Sequence, residues 1–357
     1  MADDRFEDAR PTLFLDGEEK EELRQGILSL TIAETSDGLS RCEIAFGNQG
    51  SGGQGVEFLY FDRKTFDFGK TLRVEYKGDL FEGRITGLEA RFPSRSPPEL
   101  VVLAEDALQD LRMVRRTRTF VEQSDAQVFK TIAADHGMDE DVALPGGKHK
   151  LLAQVNQSDL AFLRERARAI EAELWIAVAN GKAKLSAKPR GDRQSSSSVT
   201  LGWRNELSEF AVVADLAGQR TSVVASGWDV SAKAAVQYEA TDGELGGEFG
   251  STDSGASILQ AKFGLRKESL AHGVPWTQQE AEARARAYFK MEARRFVVGH
   301  GVARTTGKLR VGAVVDLDGL GPLFTGKYYL AEVRHRFDGS RGLRTEFCAE
   351  RAGLGRP

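Results

Sequence analysis

The feature that most constrains this chain is one residue spacing that occurs twice, far apart. The first copy reads Gly69-x-x-Leu72-x-Val74, five residues, then Leu80-Phe81-x-Gly83-Arg84. The second reads Gly312-x-x-Val315-x-Leu317, five residues, then Leu323-Phe324-x-Gly326-Lys327. Both copies later reach an Arg-Phe pair, Arg91-Phe92 and Arg336-Phe337, the second arriving two residues late. Alternating apolar residues, a turn and a returning strand make a hairpin, with glycine where the backbone bends or passes close to a neighbour. A chain carrying this pattern twice is expected to fold as two related β-domains with an insert between them.

The rest of the chain fits that plan. Between residues 26 and 92, Leu28, Leu30 and Ile32 alternate with Ser29 and Thr31, which puts the three apolar residues on one strand face. Arg41 to Phe46 reads as a strand after the turn signal Ser36-Asp37-Gly38, and Lys77-Gly78-Asp79 joins two strands as a hairpin. Texture changes at about residue 98, and the insert opens after Pro97-Pro98 with the short apolar strand Leu100 to Leu103. Two helices then share one opening. Gln123-Ser124-Asp125 precedes Val128, Phe129, Ile132 and Ala133, with Ser124 and Gln127 placed as a capping box and Gly137 as a stop. Gln157-Ser158-Asp159 precedes Leu160, Leu163, Ala167, Ile170 and Leu174, which read as one apolar helical face. A hairpin across Asn180-Gly181 completes an α/β insert.

The polar run from Pro189 to Ser198 reads as a linker, and strand texture returns from Val199 to about Tyr238. Residues 241–275 are rich in glycine and small polar residues, as in a long loop. Thr277 with Glu280 caps a further helix, on which Glu280 to Arg284 and Glu282 to Arg286 are spaced as ion pairs. Strands resume at Phe296. The expected class is α+β, mainly β: a first β-domain at 1–95, an α/β insert at 96–190, a linker at 191–198, and a second β-domain at 199–357 interrupted at about 241–295. The glycine-rich segments 47–55 and 241–256 bury too little apolar surface to order alone, so they are expected to order against neighbouring proteins.

Chemistry is sparse. The segment Gly50-Ser51-Gly52-Gly53-Gln54-Gly55 has the letters of a dinucleotide loop, but the aromatic, strand-like Val56 to Phe61 follows where a helix is required. His136, His149, His272, His300 and His335 fall in no metal-ligand spacing, and Cys42 and Cys348 are too few for a disulfide framework. His335 is expected to be structural, beside Tyr328 or Tyr329. No nucleophile elbow or phosphate loop occurs. Catalytic, cofactor-binding and metal residues are therefore all predicted to be none. Forty-nine basic against fifty-three acidic residues argue against a dedicated nucleic-acid binder. No apolar stretch reaches the length of a membrane span, and the acidic N-terminus is unlike a secretory signal.

The two Gln-Ser-Asp openings and the closing run resemble a known family. That run comprises Leu309-Arg310-Val311-Gly312, Leu320-Gly321, Phe324 to His335 and Gly342 to Phe347. Over roughly residues 20–352 the chain is similar to the phage late control D proteins, tail hubs of contractile phages related to the hub part of type VI secretion spikes. The resemblance implies tube-like β-barrel domains, two per chain, in a homotrimer that matches a sixfold tail tube to a threefold spike. Implied partners are other copies of the chain, a spike protein, the first tube ring, and baseplate wedge or LysM-type adaptor proteins. The particle would be assembled in the bacterial cytoplasm as a phage tail, bacteriocin or extracellular injection system. Relatives with a fused spike continue beyond the position of Pro357, so the spike is expected on a separate chain. A cell-wall hydrolase or carbohydrate-binding module of a tail particle is the alternative; a hydrolase would need a further domain.

Overall fold

The computed structural model describes residues 10–52, 55–179, 181–193, 198–246, 248 and 253–355. Among the described residues, ten of the thirteen strands of its main sheet form two matching halves. The first half uses β1 (Ile27–Thr35), β2 (Arg41–Gly47), β3 (Thr71–Glu75), β4 (Asp79–Arg91) and β5 (Glu99–Glu105). The second uses β6 (Leu207–Ala214), β7 (Val297–Arg304), β8 (Val314–Asp318), β9 (Gly326–Asp338) and β10 (Gly342–Arg351). The spatial order is β1-β2-β5-β4-β3 in one and β6-β7-β10-β9-β8 in the other, antiparallel throughout. The mainly β, α+β class holds.

The duplication extends to irregularities of the backbone. Between β1 and β2 the register skips Leu28, and between β6 and β7 it skips Ser208, one residue into each strand. Between β4 and β5 it skips Thr86, and between β9 and β10 it skips Ala331. A bulge adds an unpaired residue at a set place, so two matching pairs are a stringent sign of common architecture. Gly69 (φ +82°) and Gly312 (φ +91°) open the hairpins alike, in a region that favours glycine. The Gly69 N–H donates to the Ile85 carbonyl at 2.8 Å, and the Gly312 N–H to the Leu330 carbonyl at 3.0 Å.

These bonds correct one detail of the repeat. Ile85 corresponds to Leu330, so Arg91-Phe92 corresponds to Arg336-Phe337 in space, and the two-residue excess lies earlier, in the turn. There the second unit has a helical turn, Gly321–Phe324, where the first has Lys77-Gly78. Gly83 pairs with Leu72, whereas Gly326 pairs with Leu317, so these two glycines are not equivalent. The Leu28 bulge also turns that side chain outward, 46% exposed, and Ile27 takes the core position instead.

Among the described residues four buried clusters underlie the layers. The first unit packs Leu30, Ile32, Ile44, Phe46, Val74 and Phe81 with Phe66 and Leu13. The strand β5, grouped with the insert by texture, belongs to this sheet, between β2 and β4, and its Leu100, Val102 and Ala104 enter this core. The insert places α1 (Asp125–Asp135) and α2 (Asp159–Ala169) with the paired strands Arg115–Ser124 and Lys148–Ser158 and a sheet of Asp139–Val142, Lys182–Pro189 and Ala172–Ala179. The capping box at Ser124 and Gln127 forms as expected. The second helix ends earlier than its apolar spacing suggested: Glu171 at φ +60° turns the chain, and Leu174 is a strand residue. The hairpin after it turns through Gly181, while Asn180 lies outside the described residues.

The second unit has its own core, and a fourth cluster lies under α4 (Gln278–Arg294) and the strands Ser222–Asp229 and Ala234–Thr241. The stretch read as a long loop at 241–275 holds a nine-residue helix, α3 (Gly255–Phe263), capped by Ser254, and the strand Lys267–Leu270. Its composition is helix-permissive once Ser254 is recognised as a cap. On α4, Arg286 pairs with Glu282, but Glu280 turns to His149 while Arg284 donates to the Gly273 carbonyl. In the glycine-rich segments, Gly50–Gly52 pairs with Gly55–Glu57, whereas residues 53–54, 247 and 249–252 lie outside the described residues.

Candidate assembly edges

The two units join by strand pairing. The first half of β9 pairs with β8, and its second half pairs with β1, from Glu332 opposite Thr35 to Asp338 opposite Ser29. One sheet of thirteen strands results. At this seam Leu30, Ile32, Val333, His335 and Phe337 are all buried. His335 shares a hydrogen bond of 2.8 Å with the Thr345 hydroxyl rather than with either tyrosine, and burial pushes its imidazole down to about 4. It is neutral at physiological pH. The buried Glu34 of β1 pairs with Arg310, which also donates to the Asp79 carbonyl at 3.1 Å, so one arginine stitches both units.

The counterpart of each seam strand has a free edge. Among the described residues β6 pairs with β7 alone apart from a single bridge from its first residue, Leu207, to Trp203, and β4 beyond Ile85 pairs only with β5. Glu89 and Ala90 are exposed on that half of β4, and Phe92 just after it is 65% exposed. Phe92 meets Phe61 at 5.6 Å and Phe58 edge-on at 6.3 Å, an aromatic group open to solvent. On β6, Val213 is 57% exposed. Unpaired strand edges flanked by apolar side chains are where another chain adds.

Ionic clusters hold the insert together and tie it to α4. Asp125 and Asp159, the first residues of α1 and α2, are buried, and each is held by a histidine and arginine from the other half of the insert. Asp125 accepts from Arg166 at 2.6 Å and bonds His149 at 2.9 Å; Asp159 accepts from Arg118 at 2.7 Å and bonds His136 at 2.9 Å. Burial opposes the Asp125 carboxylate, but His149 and Arg166 outweigh it and hold its pKa below the ordinary range. His149 also reaches Glu280 of α4 at 3.2 Å, and these partners raise its pKa to about 9. The repeated Gln-Ser-Asp thus has a physical reason: serine caps the helix and aspartate anchors it.

The linker read from composition begins as a packed turn, Arg190–Arg193. Arg190 lies over the Tyr329 ring at 3.8 Å and pairs with Glu350 at 2.7 Å; Arg193 lies over Trp175 at 4.5 Å and pairs with Glu173 at 2.7 Å. Glu173 accepts from the Tyr329 hydroxyl at 2.5 Å as well. Residues 194–197 lie outside the described residues. Among the described residues no group of three or more His, Cys, Asp or Glu is placed to hold a metal, and the Gly50–Gly52 segment is followed by strand rather than helix. Sequence reading did not single out the Phe58, Phe61 and Phe92 group; the Arg-Phe half of the repeat was the signal pointing to it.

Over residues 9–338 the chain matches the family model described as the Alg8 N-terminal domain. No curated protein matches it. Among solved structures it is similar to the 43 kDa tail protein of prophage MuSo2 from Shewanella oneidensis, with a TM-score of 0.70 at 12% identity, covering 96% of this chain and 98% of that one. The tail protein from Neisseria meningitidis gives 0.66 at 12% identity and 97% coverage of both chains. The E. coli c3393 protein, described as a component of the type VI secretion system, gives 0.56 at 13% identity, covering 93% of this chain and 76% of that one. The fold expected from the late control D resemblance is therefore that of phage tail and type VI secretion proteins, and the chain belongs to the Alg8 N-terminal domain family.

Proposed function

We propose that the chain is the structural, non-enzymatic hub of a contractile injection machine, a homotrimer that adapts a sixfold tail tube to a threefold spike. One observation carries this reading: each chain holds two units of one architecture, joined by a strand pairing whose two edges recur unpaired at either end. Such a molecule associates head to tail, and a head-to-tail contact closes into a ring when the rotation allows. Three chains then supply six units. The number three comes from the late control D resemblance, and the fold shared with tail proteins supports the setting.

The partners in this reading are a spike protein, the first tube ring, and wedge or LysM-type adaptors, in a phage tail, bacteriocin or extracellular injection particle assembled in the bacterial cytoplasm. The division into 1–95, 96–190, 191–198 and 199–357 goes with it, with β5 assigned to the first unit and Arg190–Arg193 to the insert. Light scattering on the purified chain, and on the chain co-expressed with its neighbouring spike gene, tests the symmetry. Three chain masses are expected; a monomer in both preparations, or six chains in the assembled particle, overturns the reading.

A further inference from the structure

The matched bulges give a residue-by-residue equivalence between the units, and that equivalence carries the formed seam over to the unformed one. Through Thr86 and Ala331, Ile85 corresponds to Leu330 and Phe92 to Phe337; through Leu28 and Ser208, Ile27 corresponds to Leu207 and Leu30 to Phe210. In the formed seam Phe337 lies opposite Leu30, Arg336 opposite Thr31, His335 opposite Ile32 and Arg334 opposite Ala33. We infer that the free half of β4 pairs antiparallel with β6 of a second copy, in the register Phe92 opposite Phe210, Arg91 opposite Ala211, Ala90 opposite Val212 and Glu89 opposite Val213. This rests on the ring reading above and adds its contact surface.

Burial supports the transfer. Val333, His335 and Phe337 lie on the buried face of the sheet along the formed seam, whereas their equivalents Leu88, Ala90 and Phe92 are half-buried or exposed. Across the seam Leu30 and Ile32 are buried, while Phe210 and Val212 are half-buried. The same positions therefore lack the same neighbour. Pro93 stands at the position equivalent to Asp338, where a residue without an N–H ends the ladder. Each copy offers one edge of each kind, so the contact is heterologous, and the occupant that fits is a second copy of this chain.

Disulfide trapping in the full chain tests the register. Glu89 and Val213 are both exposed in one chain, so the double variant Glu89→Cys, Val213→Cys disturbs no core. Cys42 is buried and Cys348 half-buried, which makes the wild type a suitable blank. Under mild oxidation the double variant is expected to give covalent oligomers that reductant collapses, and neither single variant to do so. The pair Glu89→Cys with Ala211→Cys, two residues out of register, should cross-link about tenfold more slowly, because diagonal neighbours exceed disulfide reach. Phe92→Asp in the double-cysteine background should abolish the ladder. An oligomer by light scattering in reducing buffer that the Glu89–Val213 pair fails to trap, or that both pairs trap equally, overturns the register while the ring stands. A chain monomeric at every concentration and untrapped by either pair overturns both.

Discussion

Phe337 and Phe92 occupy equivalent places in the two units, yet their removal should have opposite consequences. Phe337 is 5% exposed, packs into the first unit's core, and lies 5.4 Å beneath the Arg10 guanidinium. Truncating a buried phenylalanine costs about 3–5 kcal/mol, the lost transfer energy plus the cavity left behind. That is roughly two to three and a half powers of ten in the folding equilibrium. Phe92 is 65% exposed and meets the rings of Phe58 and Phe61. Its truncation should cost the isolated chain at most about 1 kcal/mol, within the range of surface changes and single aromatic contacts. Urea unfolding followed by far-ultraviolet circular dichroism separates the two. With a slope of about 1–3 kcal/mol per molar, Phe337→Ala should lower the midpoint by about 1–5 M and Phe92→Ala, at the same slope, by no more than about a third of that. The assembled state reverses the ranking: Phe92→Ala should reduce the oligomer mass at fixed concentration with little change in monomer stability. Equal destabilisation of the isolated chain by the two variants would refute the claim that one edge is covered and its twin is open.

Two further outcomes follow from the ionic clusters and the hairpin glycines. His149 has its pKa raised to about 9 by the hydrogen bonds it donates to Asp125 and Glu280, so its tie between the insert and α4 is fully present below about pH 6.5 and is lost as pH rises through about 9. Hydrogen exchange of α4 should speed up over that window in the wild type relative to His149→Gln; parallel pH profiles would exclude the tie. Gly69→Ala should cost about 1–2 kcal/mol from its φ of +82° alone, since nothing surrounds the added methyl. Gly312→Ala should cost more, because a Cβ there would sit 2.8 Å from the Arg193 Nε and disturb its pairing with Glu173. Equal thermal midpoints for the two variants would show that Arg193 is not braced by that glycine.

Much of the fold was legible because local patterns and tertiary structure agree. Ser124 with Gln127, Ser158 and Thr277 cap helices where their spacing placed them, and the paired glycines revealed the duplication. What escaped was non-local. β5 looks like any apolar strand, and nothing in Leu100 to Leu103 says that it slots between β2 and β4. Leu174 kept helical spacing by coincidence after Glu171 had turned the chain. Arg190 and Arg193 read as linker residues because their partners Tyr329, Glu350, Trp175 and Glu173 come from distant sequence. The open edges were illegible for the same reason: Phe92 and Phe337 share a motif, and only the register shows that one is covered and the other is bare.

The seam inside the chain also sets a clock on synthesis. β1 emerges early, but the half of β9 that covers it ends about 300 residues later, which at ~5–20 residues per second leaves its edge waiting roughly 15–60 s. Closing that contact also carries the entropy of the longest loop in the fold, so it should form late. During that interval the nascent first unit presents an apolar strand edge to every neighbouring ribosome's product, including the same edge on other copies. Expression yield should therefore depend on elongation rate and chaperone supply more than the stability of the finished chain would suggest.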